Sequence, residues 1–289
     1  MKASFRRTAR SVATSAWLLR HPLFARPGHF YSPITGPDDV RRAAAQRPAL
    51  AELDGIELNA DEQRKLAETL APAWPDAHAA WKRYDPDNRM FGLADGSVYQ
   101  SMLTFLRPAK VIEVGSGYSS ALALDVRDND LPDLELTFIE PYPARLLSLL
   151  RGDDRSRIRL FQQSLQDVPL DAYRSLREND ILFIDSTHVS KAGSDVNWLL
   201  FRVLPILASG VVVHIHDIFF PFDYKNSWLT EGRSWNESYI LRAFLTFNEA
   251  FEVVLFNSWL WQDQPELIKK YLPTAADEEP GSIWLKKSA

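Results

Sequence analysis

Five short apolar runs, Lys110 to Val114, Leu134 to Glu140, Ile158 to Gln162, Asp180 to Asp185 and Val211 to His216, follow one another with helical patterns between them. Few folds accept that alternation. Runs rich in branched residues read as strands buried on both faces, and strands separated by helix-length segments pair in parallel. The spacing predicts helices over Pro143 to Leu150, where proline stands at a tolerated first position, and over Lys191 to Leu207, with Val196, Leu199, Leu200, Val203 and Leu207 on one side. Phe251 to Phe256 and Ser282 to Lys286, joined by a long polar connection without a strong helix pattern, read as a terminal antiparallel pair. The expectation is an α/β fold built on a doubly wound, seven-stranded, mostly parallel sheet.

Ahead of the first strand the texture is helical and interrupted by prolines. Asn59 with Glu62 three residues on reads as a capping pair for a helix carrying Leu66 and Leu70 and ending before Pro72. Ser97 with Gln100 repeats the pattern and is expected to open a helix that places Val98, Met102, Phe105 and Leu106 on one face and closes at Pro108. The domain organisation expected is a helical extension and cap over 1–94 and a ligand-binding domain over 95–289.

Composition narrows the function. A net charge of −5 offers no global positive field for nucleic acid. The absence of cysteine removes disulfides, thiolate metal sites and cysteine nucleophiles, so any metal must use Asp, Glu or His. No apolar run approaches the roughly 20 residues of a membrane span. Residues 1 to 37 contain no acid but carry Lys2, Arg6, Arg7, Arg10, Arg20 and Arg26, a composition like that of a presequence or a surface-seeking helix. The reading preferred here is a basic N-terminal helix or arm of a cytoplasmic protein, retained from Met1, with a homo-oligomer left open.

The strongest local signal is Val111-Ile112-Glu113-Val114-Gly115-Ser116-Gly117-Tyr118-Ser119-Ser120, a strand running through a glycine turn into a helix. Glycine lets the backbone turn tightly and approach a ligand, and the helix start offers free N–H groups, which together make a nucleotide-type site. An acid ending the next strand, Glu140, suits ribose hydroxyls in a dinucleotide and in S-adenosylmethionine (SAM) alike. Glu113 puts a carboxylate inside the motif, unfavourable beside a pyrophosphate and suited to the cationic amino-acid end of SAM. Glu113, Gly115, Ser116, Gly117, Tyr118, Glu140, Ser164, Leu165 and Asp185 are the expected cofactor contacts; a nicotinamide-dependent oxidoreductase is the alternative.

The order Glu113-x-Gly115-x-Gly117, Ile139-Glu140, Leu182-Phe183-Ile184-Asp185 and Gly210-Val-Val-Val-His-Ile-His-Asp217, closed by a strand pair, resembles the class I SAM-dependent methyltransferases over about residues 95 to 289. Phe30-Tyr31-Ser32-Pro33, His216-Asp217-Ile218-Phe219 and Trp235-Asn236-Glu237 add a likeness to a bacterial branch acting on small molecules. The resemblance implies a Rossmann-like fold with an N-terminal helical extension, bound SAM and a small-molecule acceptor.

Asp185-Ser-Thr-His188 and His214-Ile-His216-Asp217 leave neighbouring strand ends and should converge beside the glycine turn. They look like the metal site of catechol-type and macrolide-sugar O-methyltransferases, which implies a divalent ion on Asp185, His216 and Asp217 and a general base at His188, whose unperturbed pKa of ~6.5 suits proton transfer. Histidine at 216 replaces an expected acid, weakening magnesium relative to manganese, iron or zinc. A metal-free reading stays open, in which Asp185 meets the SAM amino group and Asp217 a substrate hydroxyl, as does a non-catalytic SAM-binding protein. Tyr99, Arg233, Trp235, Asn236 and Glu237 are the expected acceptor contacts, within an aromatic stretch whose rings otherwise read as core. His214 is set aside as a strand histidine.

Overall fold

A computed structural model of the protein describes residues 23–45, 53–75 and 77–288. The basic segment 1–22 lies outside the described residues. The chain divides into two units, one of 1–47 with 225–234, the other of 48–224 with 235–289. In the first, the helix Pro37–Ala45 buries no side chain, the short helix Asn226–Thr230 lies near it, and Thr35 N–H donates to Ser234 Oγ at 3.2 Å.

The second unit holds one seven-stranded sheet of β1 (Lys110–Val114), β2 (Glu135–Ile139), β3 (Ile158–Phe161), β4 (Ile181–Ile184), β5 (Val212–His216), β6 (Phe251–Phe256) and β7 (Ser282–Lys287). Its order is β3-β2-β1-β4-β5-β7-β6. The first five strands pair in parallel and β7 runs antiparallel to both β5 and β6, as the sequence leads one to expect. All four residues of β4 and all five of β5 are buried, which is why these strands carry no polar alternation. Strand order reverses between β1 and β4, so the carboxyl ends of these neighbours open a crevice suited to a ligand.

Three local expectations change. Asn59 does stand at the cap of the helix Ala60–Leu70, but in left-handed conformation without a capping bond; its amide donates instead to Val253 O at 3.0 Å, a tertiary tie to β6. The helix expected to open at Ser97 begins at Leu93, behind Gly92, so Ser97 is interior and buried; in it Val98 and Met102 face the core while Phe105 is exposed. The helix expected over Lys191 to Leu207 starts only at Asp195, capped by the Ser194 hydroxyl, which accepts from Asn197 N–H. It then widens to a π-type turn over Leu199–Val203 and ends in a 3-10 turn at Leu204–Ile206, where Pro205 cannot donate. Between β6 and β7 the polar connection folds as two short helices, Asn257–Asp263 and Pro265–Tyr271, anchored by Trp259, Leu260 and Ile268.

Candidate active site

Gly115 ends β1 with φ +80°, and a Cβ there would lie 1.8 Å from the carbonyl oxygen of Asp185. Only glycine fits where the ends of β1 and β4 come this close. Beside it, the Ser116 N–H donates to Glu140 Oε2 at 3.2 Å and the Tyr142 N–H to Oε1 at 2.8 Å. Each carboxylate oxygen keeps lone-pair capacity for a further donor. A cavity of about 430 Å³ opens here, lined among others by Gly115, Glu140, Ser164, Leu165 and Asp185. Five expected cofactor residues thus share one cavity. Sequence reasoning missed Tyr142, Thr187 and Lys191 on the same wall; loop residues of this kind carry no periodicity to reveal them.

Glu113 does not line this cavity. It is fully buried, and its Oε1 accepts from the hydroxyls of Ser119 and Ser120, both at 2.7 Å, while Ser120 Oγ accepts from Gly117 N–H at 2.9 Å. Its second oxygen has no hydrogen-bond partner. Burial pushes the Glu113 carboxyl up to about 8, against the two serine hydroxyls and with Asp185 and Glu140 adding to the rise. The expectation that Glu113 meets a ligand ammonium directly is corrected: it braces the first turn of the helix Tyr118–Asn129 and so shapes the glycine turn from below. Tyr118 lies under the Arg145 guanidinium, 5.6 Å from ring centroid to Cζ.

The second constellation assembles around His188. Its imidazole is 95% buried, with Nδ1 2.9 Å from Glu237 Oε2 and Nε2 3.4 Å from Asp185 Oδ1 and 3.5 Å from Asp217 Oδ2. Burial disfavours the charged ring, yet Asp185, Glu237 and Asp217 together hold its pKa well above the ordinary value. Asp217 is pushed up by burial against the pull of His216 and His188. His188 and Asp217 both have left-handed backbones, φ 60° and 57°, a conformation that costs about 1–3 kcal/mol where no glycine stands and that clusters at functional positions. The His188 carbonyl accepts from the N–H groups of Asn236 (3.1 Å) and Glu237 (3.2 Å). Asn236 also accepts from Ser190 N–H at 2.6 Å and donates to its carbonyl at 3.1 Å, which zips the two loops together. Trp235 covers the imidazole, centroid to centroid 4.5 Å.

Several expected roles move. His188 faces a carboxylate from each ring nitrogen, and Asp185, Glu237 and Asp217 together favour its charged form. His216 lies off the cluster, with Nε2 3.6 Å from Asp217 Oδ1 and its ring 5.2 Å from that of Phe91. Among the described residues the group able to offer three ligand atoms within 4.8 Å is Asp185, His188 and Asp217. Two hard carboxylates and one imidazole fit a divalent first-row ion. Tyr99 is fully buried against Phe183 and Trp284, a core residue rather than an acceptor contact. Arg233 belongs to the first unit, where it pairs with Glu231 at 3.1 Å and covers Trp228. Asn236 and Glu237 both bond to His188. Most rings after β5, including Phe219, Phe220, Phe222 and Tyr224, are buried core. His214, wedged against Phe183 and Trp284, is kept neutral by burial and then by His216.

Residues 112–218 match a family described as "Methyltransferase domain". A protein of Archaeoglobus fulgidus described as uncharacterized is 36% identical over 168 residues, covering 54% of this chain and 75% of its own length. The S-adenosylhomocysteine-bound methyltransferase PaMTH1 of Podospora anserina is 17% identical with a TM-score of 0.46, covering 83% of this chain and 99% of that one. The O-methyltransferase TomG of Streptomyces achromogenes, solved with SAM and described as involved in tomaymycin synthesis, is 13% identical with a TM-score of 0.44, covering 76% and 90%.

Proposed function

Since the chain belongs to the class I SAM-dependent methyltransferases, we propose that it transfers the methyl group to a hydroxyl of a small-molecule acceptor. The observation that carries this reading is the position of Asp185, which lines the cofactor cavity and also faces His188. An acceptor between cavity and cluster meets the methyl donor on one side and Asp217 on the other.

Methyl transfer is an in-line displacement: the carbon–sulfur bond breaks as the carbon–oxygen bond forms, S-adenosylhomocysteine leaves, and the hydroxyl proton must go elsewhere. Glu140 and the N–H groups of the glycine turn hold the nucleoside end of the donor. The Asp217 carboxylate receives the proton, because both nitrogens of His188 are already engaged and Asp185 is turned toward the donor. His188, braced by Glu237 and covered by Trp235, fixes the spacing of the two aspartates and excludes water from them. A divalent ion on this cluster, when bound, supplies Lewis acidity that lowers the pKa of the hydroxyl.

The test is incubation with methyl-labelled SAM and a panel of hydroxylated, aminated and thiol-bearing small molecules. Label recovered as a methoxy group is the expected result. Label on nitrogen, sulfur or carbon overturns the hydroxyl assignment, and tight SAM binding with no turnover on any class favours a non-catalytic SAM-binding protein.

A further inference from the structure

Methyl transfer leaves the N-terminal stretch unused, and the described part of that stretch presents apolar rings to solvent. Gly28, at φ +76°, and Gly36 pinch a short loop shut: a Cβ on Gly36 would lie 2.5 Å from the Gly28 Cα, and the Gly28 N–H donates to Ile34 O at 2.9 Å. Within the loop, Ser32 N–H donates to His29 O at 2.7 Å and Ile34 N–H to Ser32 Oγ at 3.1 Å. A loop whose backbone is bonded internally holds its side chains outward. The rings of His29 and Phe30 stack at 4.2 Å, those of Phe30 and Tyr31 meet at 4.3 Å, and Phe24 joins Tyr31 at 6.0 Å. Phe24 is 89% exposed, Phe30 82% and Tyr31 66%. Among the described residues, four of the eleven exposed large apolar side chains fall between Leu23 and Tyr31, and an apolar patch so concentrated marks a contact surface.

Charge says what that surface meets. Residues 1–37 carry six basic side chains and no acid, so residues 38–289 hold 27 basic against 38 acidic side chains, a net −11. The positive charge is confined to the segment that runs into the ring cluster, where Arg26 is exposed beside Phe24. Phe5, Val12, Trp17, Leu18 and Leu19 alternate with those arginines in the sequence. Basic residues interleaved with aromatic and aliphatic ones suit the boundary between anionic headgroups and acyl chains, where rings such as Tyr31 and Trp17 settle at headgroup level. Aliphatic side chains gain nothing by stacking on bases, which favours lipid over nucleic acid. An acidic remainder is repelled by an anionic surface, so contact is restricted to the basic end.

We propose that residues 1–31 dock the protein on anionic lipid bilayers, the basic side chains meeting the headgroups and Phe24, Phe30 and Tyr31 entering the interface. Docking of this kind is peripheral and independent of the chemistry at Asp185, His188 and Asp217.

The experiment is co-sedimentation of the full chain with vesicles of phosphatidylcholine alone or with roughly 30% phosphatidylserine, the anionic lipid that basic segments recognise. Wild type is expected to sediment with the anionic vesicles, to ignore the neutral ones, and to be released as salt rises from about 0.05 M to about 0.5 M. Replacing Arg6, Arg7 and Arg10 together by glutamine should weaken binding by about 100-fold, at roughly fivefold per basic residue, and flatten its salt dependence. The double variant F30S/Y31S should weaken it by roughly 10- to 100-fold while leaving the salt dependence as it was, since the loss is of apolar burial. S-adenosylhomocysteine binding by the same samples verifies that each variant is folded. No sedimentation of the wild type with anionic vesicles at low salt, equal binding to neutral ones, or full binding by F30S/Y31S overturns the proposal. So does displacement from the vesicles by a DNA or RNA oligonucleotide that the protein binds more tightly, which would assign the segment to nucleic acid. Sedimentation equilibrium covers the remaining occupant: a dimer that F30S/Y31S abolishes, without vesicle binding by the wild type, would overturn the lipid assignment in favour of a second copy of this chain.

Discussion

Glu140 and Glu113 are both acids in the glycine-turn region, and their surroundings give them opposite work. Glu140, half-buried on the cavity wall, accepts two backbone N–H groups and has lone pairs to spare. Its replacement by alanine should weaken S-adenosylhomocysteine by roughly 1.5–3 kcal/mol, the range for hydrogen bonds to a charged group, which calorimetric titration measures directly. Glu113 is instead sealed beneath the helix start, with a carboxyl raised to about 8 by burial first of all. A carboxyl whose folded pKa exceeds its unfolded value disfavours folding increasingly as pH rises from the unfolded pKa to the folded one. Glu113→Gln, which cannot ionise, should therefore gain thermal stability relative to wild type between pH 5 and about pH 8, and a difference between the two melting curves that ignores pH would contradict the burial argument. Spacing alone could locate both acids but could not say which lined the cavity, because that depends on two serines six and seven positions beyond Glu113. His188 shows the same limit: its three-residue distance from Asp185 is visible in the sequence, whereas Glu237, 49 positions later, is what engages its other nitrogen.

Elements tied by charge set the scale above. Arg83 is almost fully buried and reaches Asp125 and Asp154, both at 2.8 Å, with Asp128 at 2.6 Å, joining the segment before the helix Leu93–Leu106 to the helix Tyr118–Asn129 and to the turn ahead of β3. Asp125 also accepts from the N–H groups of Lys82, Arg83 and Tyr84. Removing the guanidinium would strand two buried carboxylates, so Arg83→Ala should lose about 3–5 kcal/mol in urea unfolding. Burial alone would raise Asp154 and Asp128, but Arg83 bonding pulls both below their ordinary values. Such carboxyls stabilise the fold above their unfolded pKa and lose that contribution as pH falls through the folded one. Wild type should therefore lose stability on acidification below about pH 4 more steeply than Arg83→Ala, and parallel curves would show that the network contributes nothing. Strand existence and pairing were legible because β1, β4 and β5 are buried on both faces and their apolar runs admit no other reading. The helices were less so. The cap at Asn59 and the start at Ser97 obey tertiary demands, a bond to β6 in one case and burial of a whole first turn in the other, and neither demand leaves a mark in local spacing.

At the scale of the whole molecule, the parallel sheet with its reversal between β1 and β4 places four strand ends, and the residues that follow them, around one crevice. That convergence is why Gly115, Glu140, Asp185 and Asp217 could be grouped from the sequence by their order alone, and why Tyr99 could not be set aside there: its burial in the core is a property of the folded chain. S-adenosylhomocysteine should raise the melting temperature with the logarithm of its concentration over Kd, the native state gaining about 2.7 kcal/mol at a hundredfold excess, with NAD giving no shift; the reverse pattern would return the chain to the oxidoreductase reading. Among the described residues no helix is long and apolar enough to cross a membrane. The central claim, that methyl transfer to a hydroxyl runs at the Asp185–His188–Asp217 cluster, is tested most directly by single-turnover transfer from labelled SAM in Asp217→Asn, using the hydroxylated acceptor that the wild type methylates. The account predicts unchanged S-adenosylhomocysteine affinity and a transfer rate lower by about 10²–10⁴. An Asp217→Asn protein that transfers at the wild-type rate would contradict it.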